Sequence, residues 1–181
     1  MAIGRRTAFA LALVLGVATG VATVAQAQMV YHRGNTAEPE TLDQHLTSTV
    51  YEAHILRDLY ESLVVHGPEA KILPGAAASW TVSDDGRVYT FEIRDDARWS
   101  NGDDLTADDF VFSYRRILDP ATGAKYANIL YPIQGAEAVN KGEAAPETIG
   151  VRALGPKTLE ITLESPTPYF LELLTHQTSL P

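Results

Sequence analysis

The chain has 181 residues, 45% hydrophobic, 8% aromatic and 20% charged, which is ordinary globular composition with material for one modest core. Its formal net charge is −9, and −11 without the first 27 residues, which hold two arginines and no acid. Such a surface argues against nucleic acid as a partner and suits a small molecule or a protein. There is no cysteine, which excludes disulfides, a thiol nucleophile and a lipid-bearing cysteine behind a leader.

Residues 1–27 read as a signal peptide. Arg5 and Arg6 form a positive start, Ala8 to Val24 carries no charge, and Ala25-Gln26-Ala27 is a small-x-small cleavage pattern. A membrane helix is the alternative, but the run is mostly Ala, Val, Gly and Thr, with no basic flank after it. The residues around the arginine pair fit twin-arginine export poorly, so general secretion is expected. The mature chain would begin near Gln28 and lie free in the periplasm of a two-membrane bacterium.

Met29-Val30-Tyr31-His32 is a short β-type run, and 34–48 reads as loop. Thr49-Val50-Tyr51-Glu52 has the spacing of a capping box, with Thr49 as N-cap and Glu52 three positions on. Ile55, Leu56, Leu59 and Leu63 then recur at helical spacing, and Arg57 and Glu61 stand i,i+4 on another face. Gly67-Pro68 closes that element. Trp80-Thr81-Val82 and Val88 to Arg94 flank Ser83-Asp84-Asp85-Gly86, a hairpin signal. In the second run Tyr89, Phe91 and Ile93 alternate with Thr90, Glu92 and Arg94, so one face is buried and the other wet.

Asp103, Asp104, Asp108 and Asp109 lie within seven positions and raise the question of a metal or a carboxylate pair. With Gly102 at the sixth position of a calcium loop, Ala97 and Trp99 occupy ligand positions, so that loop fails. Each acid has a local use instead. Asn101-Gly102-Asp103 is a turn. Thr106 starts a helix by accepting a backbone N–H, with acids in its first turn. Phe110, Tyr114, Ile117 and Leu118 form its apolar stripe, and Asp119-Pro120 ends it.

A second hairpin is expected from Ile149–Leu154, Gly155-Pro156-Lys157 and Thr158–Leu163, which makes the whole α+β. No phosphate-cradling loop or nucleophile elbow is present. His32, His45, His54, His66 and His176 are scattered without ligand spacing, so no metal, cofactor or catalytic residue is assigned. Trp80 and Trp99 read as core.

"AEPETLDQH", "ILRDLYESLV", "LPGAAASWTVSDDGRVYTFEIRDDARWSNGDDLTADDFVFSYRRILDPATG" and "LEITLESPTPYFLELLTH" resemble the oligopeptide- and dipeptide-binding proteins of ABC importers, solute-binding protein family 5. "DPATGAKYANIL" and "TPYFLELLTH" lean to the oligopeptide branch. The resemblance implies a periplasmic-binding-protein type II-like fold with an extra domain, of which only the N-terminal part is present. Segment 28–60 would open lobe one, 61–178 would be the extra α+β domain, and 179–181 a truncated return to lobe one. On that assignment Ile55, Leu56 and Leu59 lie partly exposed, since lobe one is mostly missing.

The resemblance also places Ser48, Thr49 and Val50 beside the backbone of a bound peptide, paired with it like a strand. Ser48 stands where oligopeptide members can carry an acid. Tyr126 and His176 fall where members line side-chain pockets. Domain packing for Tyr126, a loop role for His176 and a helix cap for Thr49 are the competing uses. The implied function is the periplasmic binding component of an ABC peptide importer, a non-enzyme and a monomer that passes oligopeptides to an inner-membrane permease. Relatives binding nickel, haem or another small solute, a secreted hydrolase using the aspartates, and a chaperone or sensor partner are the alternatives.

Overall fold

A computed structural model describes residues 30–181; the signal-peptide assignment over 1–27, the start at Gln28 and Met29 lie outside the described residues. Two compact units divide at Gly34/Asn35. Val30, Tyr31 and His32, read from the sequence as β-type, belong to the first unit and are exposed without regular structure. A β-type run forms a strand only when a partner ladder takes its amides, and none does here.

In Asn35–Pro181, α1 is Val50–Leu59, followed by the short pair β1 (Val64–His66) and β2 (Ile72–Pro74). A four-stranded antiparallel sheet follows, built from β3 (Ala77–Val82), β4 (Val88–Ile93), β5 (Val151–Gly155) and β6 (Thr158–Thr162) in the order β3-β4-β6-β5. Between its two hairpins the chain makes α2 (Ala107–Leu118) and α3 (Ala136–Asn140); α4 (Phe170–Leu173) comes after β6.

Both expected hairpins form. The first turns through Ser83–Arg87: Gly86 has φ +68, its N–H donates to the Ser83 carbonyl, and Asp85 accepts from Ser83 Oγ and the Arg87 amide. Glycine reaches that left-handed conformation without a Cβ penalty. The second turns at Pro156-Lys157, and its tip is tied to the start of α2 by Ala107 N–H to Pro156 C=O at 2.8 Å and Lys157 Nζ to Leu105 C=O at 2.8 Å. The hairpins join through β4 and β6, which set Tyr89 opposite Ile161 and Phe91 opposite Leu159. Alternation puts Tyr89, Phe91, Ile93, Leu159 and Ile161 on one face. They are buried in one core with Phe110, Tyr114, Ile117 and Leu118 of α2. Trp80 and Trp99 pack at its edge, partly buried.

The region around α1 departs from the sequence reading in three ways. The helix stops at Tyr60, which is extended (φ −125, ψ 160), so Leu63 lies beyond it and is buried in the main core as part of the approach to β1. Glu61, also past the helix end, cannot meet Arg57 at i,i+4; it pairs with Arg94 at 2.6 Å. Leu56, expected to be partly exposed, is fully buried, while Leu59 is exposed. The turn at Gln177–Ser179 packs against α1.

Candidate functional site

The acidic cluster resolves into local structure. Asp104 pairs with Arg98 at 2.6 Å, and Asn101 donates to the Asp103 carboxylate and accepts from its amide. Asp109 accepts from both the Thr106 amide (2.7 Å) and the Thr106 hydroxyl (2.8 Å). Thr106 and Asp109 thus form a reciprocal capping box, the Thr106 side chain facing the Asp109 amide as the sequence led one to expect, and the Thr106 hydroxyl also donates to the Asp109 carboxylate. Asp108 is exposed in the first turn of α2. Among the described residues no group of three or more His, Asp or Glu is arranged to hold a metal ion.

A second polar group was not visible in the sequence. Arg116 on α2 holds Asp43 through its two terminal guanidinium nitrogens and donates from Nη1 to His45 Nδ1 at 2.7 Å. That fixes the His45 proton on Nε2, which donates to Ser113 Oγ at 3.1 Å, and Ser113 donates to the Leu180 carbonyl. The clasp joins the 43–45 loop, α2 and the 179–181 segment, where Tyr114 also donates to the Ser179 carbonyl. Burial, then the Arg116 charge, push His45 down to about 4, with Asp43 opposing. A protonated ring would set N–H against N–H at Arg116. The partners lie about 70 positions apart in the chain, so no local pattern announces them.

Three of the residues singled out by resemblance meet in space. Tyr126 OH donates to the Ser48 carbonyl at 3.4 Å, and the Tyr126 and His176 rings meet edge to face with centroids 5.4 Å apart. Lys125 Nζ donates to Ser48 Oγ at 3.1 Å. His176 Nδ1 accepts from the Thr178 amide, so it begins the turn that follows it. Burial, then the nearby Arg57 charge, lower His176 to about 4, which keeps it neutral near pH 7.

The local backbone at 48–50 is set by Glu52. Its side chain, 2% exposed, accepts from the amides of Ser48 (2.9 Å), Thr49 (3.0 Å) and Glu40 (3.2 Å). Burial opposes its ionisation, yet the Ser48 amide, the Thr49 hydroxyl and amide and the Glu40 amide together hold its carboxyl below the usual range. Thr49 is therefore the extended N-cap of α1 (φ −119, ψ 157), in a capping box with Glu52. Val50 is 70% exposed and is the first residue of α1, so its N–H has no intrahelical acceptor. A cleft of about 660 Å³ lies elsewhere, between 58–61 and 94–100. It lacks Ser48, Tyr126 and His176 among its lining residues.

Comparison with known proteins gives one answer. The family described as bacterial extracellular solute-binding proteins, family 5, middle region, matches residues 71–181. The periplasmic oligopeptide-binding protein OppA of Haemophilus influenzae is 42% identical over 149 residues, 81% of this chain and 28% of the relative. That of Escherichia coli is 41% identical over 172 residues, 94% of this chain and 31% of the relative. The chain thus spans less than a third of the length of these relatives. Among solved structures, Haemophilus influenzae OppA in complex with RPPGFSPFR superposes with a TM-score of 0.78 at 43% identity, over 80% of this chain and 29% of that one. The Escherichia coli murein tripeptide-binding protein MppA gives 0.76 at 38%, over 80% and 28%. The α+β architecture described above is thus the corresponding part of a periplasmic-binding-protein fold, and the chain belongs to the family 5 bacterial extracellular solute-binding proteins.

Proposed function

We propose that this chain is part of the periplasmic binding component of an ABC peptide importer, which captures oligopeptides and delivers them to an inner-membrane permease without chemistry of its own. The observation that carries the reading is the grouping of Ser48, Tyr126 and His176 beside the exposed Val50, in a chain about 40% identical to proteins named for oligopeptide binding. The relatives' periplasmic names and the leader-like residues 1–27 support export to the periplasm; no helix among the described residues is long and apolar enough to cross a membrane. Segment 28–60 is read as the opening of lobe one, 61–178 as the extra domain and 179–181 as the return to lobe one, the whole acting as a monomer.

Recognition would be main-chain pairing, which tolerates many side chains. Glu52 already occupies the amides of Ser48 and Thr49. The groups left to a ligand are the Ser48 carbonyl, held only loosely by Tyr126, and the Val50 N–H. The C=O of one residue and the N–H two positions on face the same edge of an extended segment, which is the spacing a paired peptide strand needs. Tyr126 and His176 would border the adjoining side-chain pocket.

Calorimetric titration of the full-length protein with short peptides tests this. Saturable one-to-one binding that changes little on side-chain substitution and is lost on backbone N-methylation is expected. Binding of nickel or haem in place of peptide would refute it.

A further inference from the structure

Beside the proposed peptide edge stand two exposed cations, Lys125 and Arg57. Lys125 is exposed in the loop after α2, and its only polar partner among the described residues is the neutral Ser48 hydroxyl. Arg57 on α1 is exposed and has no ion-pair partner among the described residues. It is near enough to His176 to oppose a positive charge on that ring. Most other described cations are matched: Lys71, Arg94, Arg98, Arg116, Lys141 and Arg152 each have a carboxylate within salt-bridge distance. The acid beside this edge, Glu52, is buried and committed to three amides. In a chain of net charge −9, two unmatched cations at one edge are a local inversion of the field.

We infer that Lys125, supported by Arg57, forms a carboxylate subsite beside Ser48, so that the protein prefers peptides presenting an acidic group at that position. The inference rests on the peptide-binding reading and adds a substrate class to it. The ammonium sits on a flexible stem that hydrogen-bonds the Ser48 side chain while Tyr126 binds the Ser48 carbonyl. A ligand backbone paired at Ser48 and Val50 would carry its side chain, or its terminal carboxylate, past Nζ. A ligand carboxylate would replace the weak neutral acceptor Ser48 Oγ with a charge-assisted one. Arg57 would add potential without needing contact, and its effect would fall with salt.

The test uses the full-length protein and peptide sets identical except for Glu, Gln or Lys at each position in turn, each made with a free or an amidated C-terminus. At one position, or at the terminus, the carboxylate form should bind at least about fivefold tighter than its neutral counterpart at low salt. The Lys125→Met variant should bring that ratio close to one, and Lys125→Glu should invert it in favour of the Lys peptide. A Glu/Gln effect assigns the subsite to side chains, and an effect of amidation alone assigns it to the peptide terminus; either supports the subsite. Tight binding of all sets with no charge preference, or a preference unmoved by both variants, overturns it. Failure of every peptide to bind the unmodified protein overturns the peptide-binding reading and this substrate class together.

Discussion

Lowering the pH from 7 to 5 should destabilise the protein through His45, and the size of the effect follows from the clasp. The ring is 1% exposed, accepts from Arg116 at Nδ1 and donates to Ser113 from Nε2, so only the neutral form fits. Its folded pKa is about 4, against 6.5 for the free side chain. The folded value is depressed, so between these limits the unfolded chain binds a proton that the native state refuses. Stability is therefore complete above about pH 6.5 and falls as the pH drops towards 4. From pH 7 to 5 the His45 share of the loss is about 2 kcal/mol. His176 is depressed in the same window and adds to the total. The carboxylates whose pKa is lowered, Asp43, Asp85 and Glu52, titrate below it, from unfolded values of 3.8, 3.8 and 4.5. The measurement is urea unfolding followed by fluorescence of Trp80 and Trp99 at both pH values, for the unmodified chain and His45→Gln. Glutamine keeps a donor for Ser113 but does not titrate, so the difference between the two pH slopes isolates His45. Slopes that agree within about 0.5 kcal/mol would show that the clasp does not exclude the charged ring.

Three further outcomes are expected. Asp109→Ala should cost about 1–2 kcal/mol and Thr106→Ala about 1 kcal/mol in urea unfolding, since the carboxylate accepts two hydrogen bonds at the α2 cap and Thr106 supplies the other arm of the box; calcium should move the melting temperature no more than sodium at equal ionic strength. Val50→Pro should leave stability within about 0.5 kcal/mol, because proline suits the first position of a helix and the preceding Thr49 is extended. In the full-length protein the same change should weaken peptide binding by about fivefold, the worth of one net hydrogen bond, and unchanged calorimetric affinity would refute pairing at that amide. Gly150→Ala should cost about 1–3 kcal/mol in thermal or urea unfolding, since its Cβ would lie 2.6 Å from the Thr162 carbonyl, which also accepts from Gln134.

What the amino-acid order determined without help was everything settled within a few residues: the Glu52 box at the start of α1, both hairpins, the stripe of α2 and its stop at Asp119. These depend on φ/ψ preferences, turn chemistry and hydrophobic period, which act over a turn or a strand. The family was legible for a different reason, since long runs such as Arg98–Phe110 match as strings whatever their fold. Tertiary structure decided the rest. The union of β4 with β6, which makes two hairpins one sheet, needs partners about 70 positions apart, as in Phe91 opposite Leu159. Glu61 had a plausible local partner in Arg57 and took Arg94 instead, because the helix ended before the i,i+4 geometry could form. Ser48, Lys125, Tyr126 and His176 share an edge only after α1, α2 and the Gln177–Ser179 turn have packed, and the clasp through Arg116 and His45 holds the 43–45 loop and the 179–181 segment to α2. Periodicity carries no information on such contacts, because what selects them is the burial and hydrogen-bond satisfaction of surfaces that exist only once the chain has folded.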